Sequence, residues 1–230
     1  MKFSTSKTEL QNVLQKLSKA VPTRSTLPIL GCVLFKASEE KTILRATDLE
    51  ITIIAEIPVS IEEPGSAAIP LKTLLDITNE LPETRITLIV DSDNKIELRT
   101  ETGVYDLMGK PANEFPSIPD TSDGKELSMN SQLFKSVIES TVFAVSRDDL
   151  KPALTGVLFR FNKNNLTAVS TDGHRLVKHI RKDFVSTGFV GDVIVPKKFL
   201  NYMILQLASS NDDVGLIVGE NHMTAITDKV

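Results

Sequence analysis

The sequence predicts an α+β fold in which one domain occurs twice, each copy carrying two helices and mostly antiparallel strands. Two observations lead to this prediction. The chain matches itself at an offset of 124 residues, without a gap, from residue 2 to residue 48. Segments with helical spacing also alternate with short strand-like segments separated by hairpin-length links, which favours antiparallel pairing.

The repeat defines the domain organisation. Thr47-Asp48 faces Thr171-Asp172, and after small insertions the offset rises to 126 and then to 127. The Pro- and Ser-rich stretch 111–124 is typical of a linker, so we place the boundary near residue 122, with domains at 1–122 and 123–230. The second copy reaches only the position that faces Gly103, so we expect a chain fragment that lacks the last strand of this copy.

Each copy is predicted to contain two helices, over residues 6–20 and 71–81 in the first and 130–144 and 196–208 in the second. Ser6 and Glu9 form a capping-box pattern ahead of apolar residues at helical spacing, and Asn130 is the counterpart of Ser6. Five strands are predicted in the first copy by alternating or continuously apolar segments. These are Ile29–Lys36, Thr42–Thr47, Glu50–Glu56, Arg85–Val90 and Lys95–Thr100.

Composition excludes several classes of protein. The 230 residues are 41% apolar and 24% charged, as in globular proteins, and neither a membrane span nor a secretory signal is evident. The single cysteine, Cys32, cannot form an internal disulfide or a thiolate metal cluster, and its apolar strand predicts a buried thiol. We therefore expect a cytoplasmic protein.

Charge is divided between the structural elements. The four predicted helices carry seven lysines and four carboxylates, a net charge of +3, whereas the whole chain has a net charge of −4. The rest of the chain must then carry −7. If the helices share one side of the sheets, that side suits sequence-independent contact with phosphates, although lysines on exposed helices also serve solubility alone.

The copies differ informatively at one turn. Thr47-Asp48-Leu49-Glu50-Ile51 corresponds to Thr171-Asp172-Gly173-His174-Arg175. The shared Thr-Asp pair predicts a common bend, because these side chains satisfy backbone donors at turns. The Gly-His-Arg-Leu run occurs in the second copy alone, so it indicates a site.

Catalysis has weak support at this turn. No motif places a Ser or Cys nucleophile beside the Asp-His pair, and the sequence contains no P-loop, dinucleotide fingerprint or paired-cysteine motif. His174 and His179 are predicted on one strand, five residues apart, so they should point to opposite faces and make a poor metal site. We expect neither a catalytic residue, a metal nor a cofactor.

Four segments together resemble the bacterial DNA polymerase III β subunit family, the sliding clamps. They are Leu27-Pro28-Ile29-Leu30, Ala46-Thr47-Asp48-Leu49-Glu50, Glu114-Phe115-Pro116 and Thr171-Asp172-Gly173-His174-Arg175-Leu176. In that family three domains form a protomer, and two protomers close a ring around duplex DNA with helices lining the hole. The resemblance implies that this chain contains the first domain and most of the second.

The resemblance also implies partners and site residues. It implies a non-enzymatic processivity factor that encircles double-stranded DNA, forms a homodimer, and binds the DNA polymerase III catalytic subunit, the clamp loader, and other polymerases and repair proteins through short peptides. By position, the cations expected near DNA are Arg24, Arg147, Lys151, Lys197 and Lys198. The expected second-domain half of the peptide pocket is Leu154, Thr171, Gly173, His174, Arg175 and Leu176.

One departure from the family and two alternatives accompany this interpretation. Lys151-Pro152-Ala153 offers no aromatic side chain for stacking on DNA, so contact there would depend on charge. The alternatives are a small-molecule hydrolase or transferase centred on Asp172 and His174, and a two-repeat interaction module that forms no ring.

Overall fold

A computed structural model describes residues 1–117, 124–148, 150–209 and 212–227. These residues form two compact units, which we call unit 1 (described residues 1–117) and unit 2 (described residues 124–227). The boundary predicted near residue 122 lies outside the described residues, and so do the last three residues of the chain.

Unit 1 contains helices α1 (Lys7–Leu17) and α2 (Leu71–Glu80). Its strands are β1 (Lys2–Ser6), β2 (Cys32–Ala37), β3 (Thr42–Thr47), β4 (Thr52–Ile57), β5 (Ser60–Glu63), β6 (Gly65–Pro70), β7 (Arg85–Val90), β8 (Lys95–Arg99) and β9 (Val104–Met108). They form a five-stranded sheet in the order β5-β1-β7-β8-β9 and a four-stranded sheet in the order β4-β3-β2-β6.

Unit 2 contains helices α3 (Ser131–Glu139) and α4 (Lys197–Gln206). Its strands are β10 (Lys125–Asn130), β11 (Gly156–Asn162), β12 (Asn165–Thr171), β13 (Leu176–Arg181), β14 (Gly191–Pro196), β15 (Asp213–Val218) and β16 (Met223–Ile226). They form a three-stranded sheet, β10-β15-β16, and a four-stranded sheet, β13-β12-β11-β14. All of these pairs are antiparallel, so the predicted α+β class is confirmed.

The two four-stranded sheets repeat each other residue by residue. In unit 1, Leu34 of β2 pairs with Ala68 of β6, and in unit 2 Leu158 of β11 pairs with Ile194 of β14. These partners stand at the offsets of 124 and 126 read from the sequence. The duplication predicted from the sequence is therefore present in the register of the strands.

Local chemistry explains where the helices begin. The Ser6 side chain accepts a hydrogen bond from the Glu9 amide at 3.1 Å, and Asn130 accepts from the amides of Gln132 and Leu133. Each side chain satisfies a donor that the first helical turn leaves unpaired. The apolar faces of α1 and α3 are buried in the cores of their units, with Leu10, Leu14 and Val137 fully enclosed.

Several predicted boundaries were wrong. The helix predicted over residues 130–144 ends at Glu139. The hydroxyls of Ser140 and Thr141 donate hydrogen bonds to backbone carbonyls of the preceding turn, and a 3₁₀ turn, Val142–Ala144, follows. The strand predicted from Ile29 begins only at Cys32, after a 3₁₀ turn over Pro28–Gly31. Strands β1, β5 and β6 were not among the predicted strands.

Candidate functional sites

The Thr-Asp turn has the same hydrogen bonds in both units. In unit 1, Asp48 Oδ1 accepts from the amides of Glu50 (3.1 Å) and Ile51 (2.8 Å), while Thr47 Oγ1 donates to the Ile51 carbonyl (2.9 Å) and accepts from the Leu49 amide (3.1 Å). The turn joins β3 to β4. Side chains thus hold the bend, as predicted for the shared pair.

In unit 2 the equivalent turn joins β12 to β13. Asp172 Oδ1 accepts from the amides of His174 (3.1 Å) and Arg175 (3.0 Å), and Thr171 Oγ1 donates to the Arg175 carbonyl at 2.7 Å. Gly173 has a φ of 89° in open space. A side chain there would meet no atom, but the backbone conformation is one that favours glycine.

Unit 2 adds a contact at this turn that unit 1 lacks the residues to make. The Arg175 guanidinium donates through Nε to Asp172 Oδ2 at 2.9 Å and through Nη2 to the Phe143 carbonyl oxygen at 2.8 Å. It also lies over the Phe143 ring, with Cζ 5.6 Å from the ring centroid. At the corresponding positions unit 1 has Ile51 and Lys19. Arg175 therefore ties the turn to the 3₁₀ segment that follows α3.

The electrostatics of the turn follow from these bonds. The Arg175 backbone amide, then the His174 amide and the Arg175 side chain, lower the pKa of Asp172 to about 2. The carboxylate is therefore fully ionised at neutral pH and all its short contacts are donors. An aspartate held in this way is a poor proton acceptor for catalysis.

The residues predicted for a peptide pocket gather at one end of the four-stranded sheet of unit 2. Leu154 precedes β11, and the turn 171–176 joins the end of β12 to the start of β13, which lies at that same end because the strands are antiparallel. Leu176 is 66% exposed and Leu154 is half-buried. The apolar side chains of Leu154 and Leu176 thus lie at the same end of the sheet as the Arg175–Asp172 ion pair.

Sequence reasoning missed Phe143. This side chain is 52% exposed and stacks under Arg175, so it extends the same surface. The sequence did contain a signal for this residue. The polar Ser140-Thr141 pair favours an early end of the helix, which leaves the aromatic residue that follows outside it.

The residues predicted for DNA contact occupy several elements. Arg24 and Arg147 are exposed in equivalent loops, and neither forms an ion pair with any described residue. Lys151 Nζ lies 3.8 Å from Asp148 Oδ2, a weak exposed pair. Lys197 and Lys198 begin α4 and are half-buried.

The charge division between helices and strands is smaller than predicted. The observed helices carry six lysines and four carboxylates, because α1 ends at Leu17 and leaves Lys19 outside. Their net charge is therefore +2 rather than +3. The remaining chain carries −6, so the sign of the division is retained.

One histidine does not lie where the sequence predicted it. His174 lies in the turn before β13, not on the strand with His179, because the Asp172 carboxylate holds the backbone in the bend. Within residues 1–117, 124–148, 150–209 and 212–227, no group of three or more His, Cys, Asp or Glu is arranged to hold a metal ion.

Cys32 is buried as predicted, and burial raises the pKa of its thiol.

No helix among the described residues has the length and apolar character needed to cross a membrane.

Comparison with known proteins assigns both copies. Residues 1–119 match the family model of the DNA polymerase III beta subunit, N-terminal domain, and residues 128–230 match that of the central domain. A curated relative, the beta sliding clamp of Vibrio cholerae, is 30% identical over 229 residues, which cover 98% of this chain and 62% of the relative. The chain thus spans less than two thirds of that relative's length.

Solved structures have the same fold. A crystal structure described as a DNA polymerase III beta subunit from Eubacterium rectale is 31% identical, with a TM-score of 0.93 over 100% of this chain and 63% of that one. A sliding clamp from Pseudomonas aeruginosa bound to griselimycin is 28% identical, with a TM-score of 0.89 over 100% of this chain and 62% of that one. The chain belongs to the DNA polymerase III beta subunit family.

Proposed function

We propose that this chain is part of a DNA sliding clamp, a non-enzymatic processivity factor that encircles duplex DNA and tethers the replicative polymerase to it. The observation that carries the proposal is that the two copies match two consecutive domains of the family, in order, along nearly the whole chain. Encirclement keeps the polymerase at high effective concentration even though each contact with DNA is weak. The proposed clamp needs no cofactor and acts in the cytoplasm.

In this proposal five cations contact the DNA backbone: Arg24, Arg147, Lys151, Lys197 and Lys198. Contacts of this kind hold phosphates without reading bases, and their strength falls steeply with salt. The exposure of Arg24 and Arg147 and their lack of an ion pair with any described residue support the role. Lys197 and Lys198 are adjacent in the first turn of α4 and only half-buried, so both keep exposed area for such a contact.

The partner site is proposed at the exposed turn of unit 2. Leu154, Thr171, Gly173, His174, Arg175 and Leu176 form its second-domain half. Exposed Leu176 and the Phe143 ring supply apolar area, and the open space around Gly173 admits a docked backbone. The proposed partners are the DNA polymerase III catalytic subunit, the clamp loader, and other polymerases and repair proteins, which share this site through short peptides. A related clamp that binds griselimycin supports a ligand site in this family.

The hydrolase or transferase alternative is disfavoured by the chemistry of the turn. Asp172, with its pKa near 2, accepts from the backbone and from Arg175, so it is not free to orient His174 as a base. The interaction-module alternative differs from the clamp in one physical respect, namely ring closure by a homodimer. A topological experiment therefore separates the two.

The experiment loads the complete gene product onto nicked circular DNA with a clamp loader and then linearises half of the sample. We expect retention on the circle through gel filtration at 0.2 M NaCl and loss from the linear form, because a ring slides off free ends. Equal retention on both forms would contradict encirclement. Turnover of ester or phosphoester substrates that His174→Ala abolishes would instead favour the enzyme.

A further inference from the structure

Unit 1 contains a cavity that neither of the proposed sites uses. It measures about 690 Å³ and lies where the end of β1, the link between β4 and β5, and the start of β7 come together. This volume is within the range of small-molecule sites in proteins. The polar side chains that line the cavity are mainly serine and threonine hydroxyls, together with one guanidinium, that of Arg85, and one carboxylate, that of Glu83.

Three side chains of the lining have hydrogen-bond donors to spare. Ser6 Oγ accepts from the Glu9 amide at 3.1 Å, and the Ser6 hydroxyl proton has no acceptor among the described residues. Within the same part of the chain, the side chains of Ser60 and Arg85 form no hydrogen bond or ion pair. Ser6 and Arg85 are directly opposite each other in the β1–β7 ladder, so both project from the same face of the sheet.

The carboxylate of the lining does not neutralise Arg85. Glu83 Oε2 accepts a hydrogen bond from the Thr8 hydroxyl of α1. Its other oxygen, Oε1, has no partner in the described part of the chain, so it is able to accept from a hydroxyl group of a ligand. None of the described residues that line the cavity is aromatic, so the lining offers no stacking surface for a nucleobase.

Unit 2 shows that the shared fold does not require this arrangement. By strand register, Asn130 and Asp213 occupy the positions that Ser6 and Arg85 occupy in unit 1. A carboxylate thus replaces the guanidinium, and it lies 3.5 Å from Ser128 Oγ. The arginine of unit 1 is therefore not needed to build the duplicated sheet.

We propose that this cavity binds a small phosphate ester with a hydroxylated body, of the sugar-phosphate class. The Arg85 guanidinium is a planar donor fork that matches phosphate oxygens, and the hydroxyls of Ser6 and Ser60 supply further donors to the same group. Glu83 Oε1 accepts from a hydroxyl of the ligand body. One cation beside one carboxylate suits a single phosphoryl group rather than a polyphosphate, and the volume leaves room for the rest of the molecule.

Titration of the isotope-labelled 230-residue chain with ribose 5-phosphate, followed by NMR, tests the proposal. We expect saturable shifts of the amide resonances of Ser6, Ser60 and Arg85. Half-saturation should occur at or below about 1 mM, since one charge-assisted contact and a few neutral hydrogen bonds give an affinity of this order. Ribose and inorganic phosphate, titrated separately, should each bind about tenfold more weakly, because each lacks one half of the recognised chemistry.

Three variants make the result specific. Arg85→Gln should weaken ribose 5-phosphate binding about tenfold, because it removes the charge-assisted contact. Ser60→Ala, which removes one hydroxyl donor, should weaken binding about threefold. Arg99→Gln is the matched control and should leave binding unchanged, since Arg99 is an exposed arginine of the same sheet, on β8, that does not line the cavity. All three side chains are exposed, so the variants should fold, which the same spectra verify.

Four outcomes would overturn the proposal: no saturable shift at the three amides, equal affinity for ribose, equal affinity for inorganic phosphate, or a loss in Arg99→Gln as large as that in Arg85→Gln. The third would indicate a site for any small oxyanion rather than for an ester. None of the substituted residues belongs to the proposed DNA or peptide sites, so failure here is distinguishable from failure of the proposed function.

Discussion

Leu49 and Gly173 occupy the same position of the same turn in the two units, with φ values of 77° and 89°. The amide of each donates to the hydroxyl oxygen of the preceding threonine at 3.1 Å. The turn thus imposes a left-handed conformation whichever residue is present. A leucine in this conformation is strained, whereas a glycine is not.

Replacing Leu49 with glycine should therefore stabilise unit 1. Glycine removes the backbone strain of a left-handed leucine, and this gain exceeds the entropy cost that glycine adds. We therefore expect the free energy of unfolding to rise by about 0.5–1 kcal/mol. Urea denaturation followed by circular dichroism measures it. Glu50→Gly, at the next exposed position and with an ordinary φ, is the matched control and should lower stability; equal effects of both changes would contradict the strain.

Asp172→Asn should weaken partner-peptide binding while leaving the turn in place. The asparagine Oδ1 keeps the two backbone hydrogen bonds, but the ion pair that fixes Arg175 is lost. We expect a threefold to tenfold loss of affinity for a clamp-loader or polymerase peptide, measured by fluorescence polarisation on the complete gene product.

The matched control for Asp172→Asn is Asp183→Asn. Asp183 forms an equally short pair with Arg181 at the far end of β13, away from the turn. Peptide affinity should be unchanged in that variant. If both variants bound as tightly as the unmodified protein, the positioning of Arg175 would be irrelevant to recognition.

The same carboxylates predict how the two pairs respond to acid. The pKa of Asp172 and that of Asp183 are each lowered to about 2, the latter chiefly by hydrogen bonds from Arg181. The stabilisation that each ionised carboxylate gives through its hydrogen bonds is therefore complete above about pH 4 and is lost as pH falls through 2. Carboxyl chemical shifts followed by NMR should titrate near pH 2, and a midpoint near 4 at Asp172 would mean that the backbone amides of Arg175 and His174 do not donate to this carboxylate in solution.

Phe115→Ala should destabilise unit 1 strongly. Removing a buried phenylalanine leaves a cavity over Cys32 and Ala68, for which we expect a loss of about 3 kcal/mol in denaturant unfolding. Phe143→Ala, which removes a half-exposed ring, should cost less than about 1 kcal/mol and serves as the control. Similar losses for the two variants would argue against a closed cluster around Phe115.

Tyr202→Phe should stabilise unit 2. Burial raises the pKa of Tyr202 to about 12, and its buried hydroxyl has no hydrogen-bond partner among the described residues. Deleting an unsatisfied hydroxyl removes a desolvation penalty, so we expect a gain of about 1 kcal/mol in thermal unfolding. Tyr105→Phe, on the edge strand β9, is the control and should be neutral within about 0.5 kcal/mol.

Much of the fold was predictable from the sequence because the internal repeat gives two independent copies of each pattern. Asn130 supports the cap assigned to Ser6, and both pairs Thr47-Asp48 and Thr171-Asp172 form the expected bend. Strands β3 and β7 have the predicted ends. The edge strands β5 and β6 were missed, because short, Gly- and Ser-containing segments have little apolar alternation and acquire their strand character from pairing.

The site was only partly predictable. Arg175 was identified by its absence from the first copy, but its partner Phe143 was not, because the contact joins two segments 32 residues apart through a backbone carbonyl, a group that every residue possesses. Likewise, the covering role of Phe115 depends on where the chain crosses β6, which no local pattern encodes.

In both units, the side chains that bond the backbone of the Thr-Asp turn are the two at its start, and the three positions that follow take part in these bonds through their backbone amides and carbonyls. The bend therefore forms with different side chains at those three positions. One copy acquired Leu-Glu-Ile and the other Gly-His-Arg. Because the Thr-Asp pair forms the bend and the next three positions differ between the units, the turn is a suitable place to engineer new binding specificities into either unit.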